Sequence, residues 1–461
     1  NDDSRSGIPG FDQATLAAAA LGRVVFIRSG NGVTALEFTG RGSRRLWTTA
    51  AAGGAALVGR LGAASPLIAR NGGVPLGLRI AEPGDAGGAG LVWGRPRTGG
   101  IPVLRGRSLV LLDPVTGGTI WERRRLPAAT EIVGDDEVVC VVTADGRRSP
   151  VLSLADGRVL HEFDLPDRRR RLLTHGSRVL AIGGADAAAA GGIAATVRLE
   201  VLDVRDRTTV SLGEFPGHAR ACGFAAGRLA VVDPAGELAV VDLDARSVAF
   251  RRRLPGMPRS IENLEVMSWE DRLIVCVGSR GEEADAEAGN RHAIAPLQQG
   301  LIAGTAVQPL DYSVWAIDRD SGALLWQVPA IAARHCLLAG QPAGLPVLVF
   351  ARQIQWHQDR GSTVLSVLCL DKRTGHAVLE DDRIPAQPHV LFGADVVGDP
   401  LRHTITIREL GTPQQVALRF TGEPAPPRPP HQAGRPPQAE GLIGGLWESL
   451  WDSVLGPGAA K

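Results

Sequence analysis

Short apolar runs alternate with short polar turns along most of this chain. The segments TEIVGDDEVVCVVTA (130–144), RLLTHGSRVLAIG (171–183) and ACGFAAGRLAVVD (221–233) each contain two such runs around a turn. Runs rich in Val, Ile and Leu that are bounded by Gly, Asp or Ser are typical of β-strands joined by tight turns. Helical periodicity is nearly absent before the C-terminal tail. The pattern therefore predicts an all-β protein made of antiparallel hairpins.

A longer repeat is superimposed on these strands. Residues 111–121 (LLDPVTGGTIW) and 316–326 (AIDRDSGALLW) share the pattern small/apolar-x-Asp-x-x-(Ser/Thr)-Gly-x-x-x-Trp, and residues 369–379 and 240–250 keep the aspartate with Leu or Phe in the tryptophan place. Weaker copies lie at 151–161, at 201–211, from Ala35 to Trp47, and at roughly 405–420. Each copy predicts an outer hairpin, in which one strand enters, the turn reverses it and a second strand leaves.

Each residue type in the repeat has a physical reason to be there. The aspartate carboxylate accepts hydrogen bonds from backbone N–H groups of its own turn and from the Ser/Thr hydroxyl. The glycine takes a positive φ without steric cost. The aromatic residue eight positions after the aspartate, called here the wedge residue, is expected to pack against the neighbouring sheet. The predicted turn and wedge residues are Asp113, Thr116, Gly117, Trp121, Asp242, Phe250, Asp318, Ser321, Gly322, Trp326, Asp371, Thr374 and Gly375.

The spacing of the hairpins predicts the architecture. From Gly117 to Gly157 the marker glycine position advances by 40 residues, and most later steps are similar. Periods near 40 to 50 residues are typical of propeller blades. We therefore expect a β-propeller of eight four-stranded antiparallel blades over residues 15–421, with seven blades as the alternative, after an N-terminal extension at 1–14. Two long gaps, about 51–104 and 279–311, are interpreted as loops inserted in blades.

The C-terminal tail differs from the rest of the chain. Residues 422–440 form a proline-rich linker, and residues 441–456 have a single apolar stripe at helical spacing. We expect a short amphipathic helix there, with Leu446, Trp447, Leu450 and Trp451 as candidate partner-binding residues. So short a helix needs a surface on which to fold. Three surfaces remain possible for this helix: its own propeller, a groove on a partner protein and a membrane interface.

Composition and motifs point away from catalysis. The five cysteines are scattered, with no adjacent pair and no C-x-x-C, and the ten histidines show no ligand spacing. No phosphate loop, nucleophile elbow or zinc motif is present. The sequence therefore offers no catalytic, cofactor-binding or metal-ligating candidates. A formal net charge of +1 favours neither nucleic acid nor an anionic membrane as a partner, and no apolar stretch approaches the length of a transmembrane segment.

Arginine runs at 123–125, 168–171 and 251–253 are the strongest local charges, because lysine occurs only at Lys372 and Lys461. They are compatible with a basic patch for an acidic partner, phosphate or RNA. A solvated outer strand compensated by neighbours such as Glu122 and Asp167 is the favoured interpretation.

The hairpins resemble those of the quinoprotein alcohol dehydrogenase-like (PQQ-like) propellers, whose non-enzymatic members include BamB-type scaffold proteins. Residues 111–121 and 316–326 carry the resemblance most specifically. Catalytic members hold pyrroloquinoline quinone against a disulfide of two adjacent cysteines, and this chain has no such pair, so the resemblance argues against that cofactor.

The resemblance implies a non-catalytic platform for protein–protein interaction, located in the envelope or periplasm. A degenerate quinoprotein-type enzyme and a propeller that binds a small ligand or glycan at its channel mouth are the alternatives. The chain begins Asn1-Asp2-Asp3 without Met or a signal peptide. We therefore expect it to be one module of a larger bacterial protein.

Overall fold

The computed structural model describes most of the chain between residues 18 and 419. The described residues are 18–29, 32–39, 42–50, 74–75, 92–93, 99–143, 145–166, 170–183, 196–280, 300–302, 305–307, 310–338, 341, 344–355, 363–386, 394–399, 404–409 and 415–419. Two compact units are present, Asn1–Arg253 with Leu264–Val266, and Leu254–Asn263 with Met267–Lys461.

The strands up to Arg253 form five antiparallel sheets. The first sheet contains β1 (Ala18–Leu21), β2 (Val24–Ser29), β3 (Gly32–Thr39) and β4 (Gly42–Ala50). After the short strand β5 (Val74–Pro75), the second contains β6 (Val92–Trp93), β7 (Ile101–Arg105), β8 (Ser108–Leu112) and β9 (Thr119–Arg123). The third contains β10 (Ala129–Gly134), β11 (Val138–Thr143), β12 (Ser149–Ser153) and β13 (Val159–Phe163).

The fourth and fifth sheets continue the same order of strands. The fourth contains β14 (Arg171–His175), β15 (Arg178–Gly183), β16 (Thr196–Asp203) and β17 (Thr208–Pro216). The fifth contains β18 (Arg220–Ala225), β19 (Arg228–Val232), β20 (Glu237–Asp242) and β21 (Ser247–Arg253). Strand β5 pairs with the edge of β18 that faces away from β19.

The strands after Arg253 form three further sheets. A seven-stranded sheet has the order β22-β23-β26-β27-β28-β29-β30. These strands are β22 (Asn263–Trp269), β23 (Arg272–Ser279), β26 (Leu310–Asp318), β27 (Ala330–Leu337), β28 (Val347–Gln355), β29 (Thr363–Asp371) and β30 (Ala377–Ala386). A two-stranded sheet contains β24 (Gly300–Ile302) and β25 (Thr305–Val307), and a three-stranded sheet contains β31 (Ala394–Asp399), β32 (Thr404–Glu409) and β33 (Gln415–Arg419).

Burial differs systematically between the middle and the outer strands of a sheet. Every residue of β11 is buried, whereas β9, β13 and β21 are largely exposed. A strand that is covered on both faces reads as an unbroken apolar run, which explains VVCVV at 138–142. The middle strands are therefore sandwiched between neighbouring sheets, and the last strands of the second, third and fifth sheets lie at solvent-exposed edges.

The hydrophobic core lies between neighbouring sheets. Leu109 and Leu111 of β8 share one cluster with Val139 and Val141 of β11. In the same way Leu199 of β16 belongs to a cluster that extends to the fifth sheet. The second, third and fourth sheets thus contribute both faces to packing, which is the arrangement of propeller-like blades.

The all-β prediction is confirmed, and the described residues contain antiparallel sheets and no α-helix. Strands β5 and β6 and most of β7 lie inside the interval 51–104 that the sequence suggested as an insertion. Each of β5 and β6 has only two residues, so neither produces an apolar run that a sequence pattern could detect. The predicted linker at 422–440 and helix at 441–456 lie outside the described residues. In the described part of the chain, no helix has the length and apolar character needed to cross a membrane.

Candidate functional site

The turn after β8 shows what the recurring aspartate of the repeat does. Asp113 Oδ1 accepts hydrogen bonds from the backbone N–H groups of Val115 (2.8 Å) and Thr116 (2.7 Å). The hydrogen bond from the Thr116 N–H, followed by that from Val115, lowers the pKa of Asp113 below its ordinary value. Gly117 has φ +70° and donates to the Asp113 carbonyl oxygen. The carboxylate is thus occupied in holding its own turn.

The turns at Asp318 and Asp371 repeat this geometry. Ser321 donates to Asp318 Oδ1 from both its hydroxyl (2.6 Å) and its N–H (2.7 Å), and the hydroxyl hydrogen bond is the main cause of the lowered pKa of Asp318. Asp371 Oδ1 accepts from the Arg373 N–H at 2.6 Å. Gly322 and Gly375 have φ +70° and +75°, and Thr374 Oγ1 accepts from the His376 N–H.

The wedge tryptophans lie against the turn of the following hairpin. Trp121 Nε1 donates to the Leu154 carbonyl oxygen at 2.8 Å, and a Cβ on Gly157 would stand 2.8 Å from the indole. Trp326, buried at 6% exposure, donates to the Arg373 carbonyl oxygen at 3.0 Å and covers Gly375 in the same way. The repeat's glycine therefore has two functions, a positive φ and an open face for the indole.

Two further residues, at the ends of the weaker copies 35–47 and 151–161, occupy the wedge position, although the sequence analysis did not include them among the predicted wedge residues. Trp47 Nε1 donates to the Pro114 carbonyl oxygen at 3.1 Å and lies against Gly117. His161 Nε2 lies 2.8 Å from the Val204 carbonyl oxygen. His161 stands eight positions after Ser153, so the spacing of the weak copy at 151–161 was the signal that could have found it.

The hairpin at 240–250 departs from the others. Asp242 Oδ1 accepts from the Ala245 N–H at 2.9 Å, and Phe250 is partly buried on β21 opposite Val240. Arg246 stands in the glycine place and keeps the positive φ, at 53°. Its guanidinium reaches back to the preceding hairpin, where it contacts Asp203 at 2.6 Å and Asp206 at 2.7 Å.

Ion pairs connect the turns of three consecutive sheets in the first unit. Arg205 pairs with Asp135 of the third sheet. Arg178 pairs with Asp203 at 3.4 Å and with Asp244 of the fifth sheet. Asp203 is only 2% exposed, so its charge requires these guanidiniums. This turn face is therefore held together by complementary charges.

The arginine runs have two different environments. Arg124 pairs with Glu122 at 2.9 Å on the surface, as the solvated interpretation expects. Arg171 is not solvated in this way. Its side chain is only 5% exposed, and it pairs with Glu131 of the preceding sheet at 2.6 Å. Arg171, the first residue of the inner strand β14, thus forms a buried ion pair. The run of four arginines at 168–171 does not predict this pair.

The cysteines and His335 have the environment of core residues. Burial raises the pKa of Cys140, Cys222, Cys336 and Cys369 to about 12, which keeps these thiols protonated. His335 is 4% exposed and lies 3.2 Å from the hydroxyl of Ser366. Within the described residues there is no group of His, Cys, Asp or Glu suited to a metal ion. The cysteines are separate along the chain, so they do not fit the disulfide of two adjacent cysteines that the resemblance associates with pyrroloquinoline quinone. Leu446, Trp447, Leu450 and Trp451 lie outside the described residues.

These observations define the class of protein, an all-β chain of propeller-like blades whose neighbouring sheets are fastened at their hairpin turns. Residues 81–214 match the family model described as outer membrane protein assembly factor BamB. This segment contains the hairpins that end at Trp121, His161 and Ser211, and it carries the PQQ-like propeller repeat, as the hairpin motif predicted. No curated protein matches the chain.

Solved propellers resemble the chain at low identity. BamB from Moraxella catarrhalis is 13% identical, with 85% of this chain and 93% of that chain covered and a TM-score of 0.33. The quinohemoprotein alcohol dehydrogenase from Comamonas testosteroni is 11% identical, with 85% and 70% covered and a TM-score of 0.34. The C-terminal WD40 domain of Sif2 is 11% identical, with 88% and 97% covered and a TM-score of 0.34. At these identities and scores the likenesses carry no argument about function.

Proposed function

We propose that this chain is a non-catalytic propeller that serves as a platform for protein–protein interaction. The observation that carries the proposal is the use of the repeat's polar and aromatic side chains in packing. Asp113 binds its own turn, and the indole N–H of Trp121 is bound to the Leu154 carbonyl oxygen. Side chains with these partners are unavailable for chemistry on a substrate.

An eight-bladed arrangement belongs to the same proposal. Each of the eight hairpin copies falls on a described strand pair or bridge, from β3–β4 at the first copy to β32–β33 at the last. The sixth copy is the most reduced, since Ile317 and Leu324 form an isolated bridge there. The sixth and seventh copies lie in the same seven-stranded sheet, so eight blades require this sheet to be counted as two blades, and seven blades are the alternative if it is counted as one.

We place the protein in the cell envelope. The support is the description of the matching family as an outer membrane protein assembly factor, over residues 81–214. Fractionation of cells that produce the full-length protein, with detection in the periplasmic and membrane fractions, tests this placement. Recovery in the cytoplasmic fraction alone would contradict it.

A quinone titration separates the platform from the degenerate quinoprotein. Purified protein is incubated with pyrroloquinoline quinone and calcium, and visible absorbance and dye-linked alcohol oxidation are measured. The platform predicts no change in either. A spectral shift or turnover would overturn the proposal, and cross-linking in cells that yields one stoichiometric protein partner would support it. An array of glycans probed with the same protein tests the remaining alternative, with no binding expected.

A further inference from the structure

A groove of about 760 Å³ lies between the outer edges of the second and third sheets of the first unit. Arg123, Arg124 and Arg125 line one side, at and just after the end of β9. Arg148, the turn residue immediately before β12, lines the other. The groove therefore brings together one of the three arginine runs and a separate arginine from the neighbouring sheet, which the sequence did not associate.

The charges in this groove are only partly compensated. Arg124 pairs with Glu122 at 2.9 Å, and Arg148 pairs with Glu162 at 2.7 Å. Neither Arg123 nor Arg125 contacts a carboxylate among the described residues. Four guanidiniums and two carboxylates line the groove, and Asp164 lies close to Arg148 as a third carboxylate, so one positive charge is in excess and the groove attracts negative charge. A guanidinium fork also matches a carboxylate with two parallel hydrogen bonds.

The backbone fixes the positions of two of these arginines. Arg125 has φ +64° and Arg148 has φ +49°, a conformation that side-chain-bearing residues seldom adopt. The Arg148 N–H donates to Asp164 at 2.6 Å. Beside Arg125, Leu126 N–H donates to the Arg107 carbonyl oxygen at 2.9 Å. Arginines held in this way lose less backbone freedom when they bind a ligand.

The groove also offers apolar surface. Leu126 is buried beneath it, and Pro127, Pro150 and Val159 contribute to its lining, with Val159 36% exposed. None of its lining residues is aromatic, so bases have no side chain on which to stack. A polyphosphate would also meet two glutamates without using the apolar surface. Carboxylates flanking an apolar side chain would use both kinds of contact.

We propose that this groove binds an acidic, partly apolar segment of a partner protein. The inference rests on the platform function proposed above and specifies the chemistry of one partner. It assigns a binding role to Arg123 and Arg125 in particular, because these two arginines have no carboxylate partner in the described part of the chain.

Fluorescence anisotropy with a defined peptide tests the proposal on the full chain. The probe is a labelled hexapeptide in which acidic residues alternate with Leu and Val, and its matched control replaces each Glu and Asp by Gln and Asn. We expect saturable binding of the acidic peptide that weakens with added salt. Binding should be about tenfold weaker for the amide peptide and for the double variant R123Q/R125Q.

The run at 251–253 provides a matched control variant. Arg252 and Arg253 are exposed on β21, an outer strand equivalent to β9. The variant R252Q/R253Q removes the same charge and should bind the acidic peptide within about twofold of the parent chain. Thermal unfolding midpoints of both double variants that equal the midpoint of the parent chain would show that the fold is retained.

Four results would overturn the proposal: no saturable binding of the acidic peptide, equal binding of the amide peptide, equal loss in both arginine variants, or tighter binding of an oligothymidylate of equal charge. The outcome is separable from the platform function. A failed peptide titration with a blank quinone assay removes only this groove, whereas a positive quinone assay removes the platform itself.

Discussion

The indole Nε1 of Trp121 donates a 2.8 Å hydrogen bond to the carbonyl oxygen of Leu154, 33 positions further along the chain and in the next sheet. The same indole covers the open face of Gly157. The second sheet is thus tied to the third by a hydrogen bond and by ring burial at a single point. Because the repeat supplies both halves of this contact, one motif both shapes a hairpin and attaches its neighbour.

Substitution of Trp121 separates these two contributions. W121F keeps most of the ring burial but leaves the Leu154 carbonyl oxygen without its donor, and we expect a loss of about 1 kcal/mol in the free energy of unfolding. W121A removes the ring as well and should cost about 3–5 kcal/mol. Ile120, which is 48% exposed on the same strand, provides the control, since I120A should stay within about 0.5 kcal/mol. Urea unfolding measures all three, and equal effects of W121A and I120A would refute the wedge role.

Alanine substitutions at two glycines with positive φ distinguish the cost of backbone strain from the cost of a steric clash with a neighbouring side chain. Gly157 has φ +69° and a Cβ there would stand 2.8 Å from the indole of Trp121, whereas Gly106 has φ +58° and nothing within 4 Å of its Cβ position. G106A should cost only the strain of the left-handed backbone, about 1–2 kcal/mol. G157A must also displace the indole and should cost clearly more. Denaturation midpoints that are lowered equally would show that the indole does not need the open face.

Arg246 and Arg207 allow a second matched comparison. Both stand in the glycine place of a hairpin with positive φ, at 53° and 58°. Arg246 contacts the buried Asp203, so R246G relieves strain but leaves that carboxylate with less compensation, and we expect a loss of about 1–3 kcal/mol. Arg207 is exposed, so R207G relieves backbone strain without removing a buried ion pair, and it should leave the stability unchanged or raise it by about 1 kcal/mol. An unfolding free energy for R246G equal to that of R207G would contradict the role of this ion pair.

Glu265 gives the protein a predictable pH dependence. Burial raises the pKa of Glu265 to about 7. Because the folded state holds this proton up to a higher pH than the unfolded state does, the contribution of Glu265 makes the protein less stable as pH rises from about 4.5 to about 7. E265Q removes the titration. We expect this variant to be more stable than the parent above pH 7 and to show a flatter profile across that interval.

Unfolding midpoints measured between pH 4.5 and 8 test this expectation for the parent and for E265Q. The neighbouring Cys222 does not titrate there, since its pKa is raised to about 12. C222A should therefore retain the slope of the parent profile. Parallel profiles for the parent and E265Q would show that Glu265 is not the group responsible.

The local chemistry of the hairpins could be inferred from the sequence. The spacing from Asp113 to Gly117 and Trp121 predicts a turn held by a carboxylate and a strand that carries an aromatic residue. These features depend on residues within about ten positions of one another, so short-range sterics and hydrogen bonding decide them. The all-β class follows from the same local patterns.

The surroundings of the charged residues could not be inferred in this way. Arg124 and Arg171 belong to similar runs, yet one is solvated beside Glu122 and the other is buried against Glu131. The difference arises because Arg171 lies on the first strand of its sheet and Arg124 follows the last. The position of a strand in its sheet determines how buried its side chains are. A run of arginines in the sequence does not reveal that position.

The sequence by itself determined that the chain consists of repeated antiparallel hairpins with a fixed turn chemistry, because each turn is a local minimum of the backbone and its neighbouring side chains. Only the tertiary structure decided that His161 lies against the Val204 carbonyl oxygen of the next hairpin and that Arg125 and Arg148 line one groove. Those relationships join residues of different sheets. They depend on how the sheets are registered and stacked, which is a cooperative property of the whole core and not of any single segment.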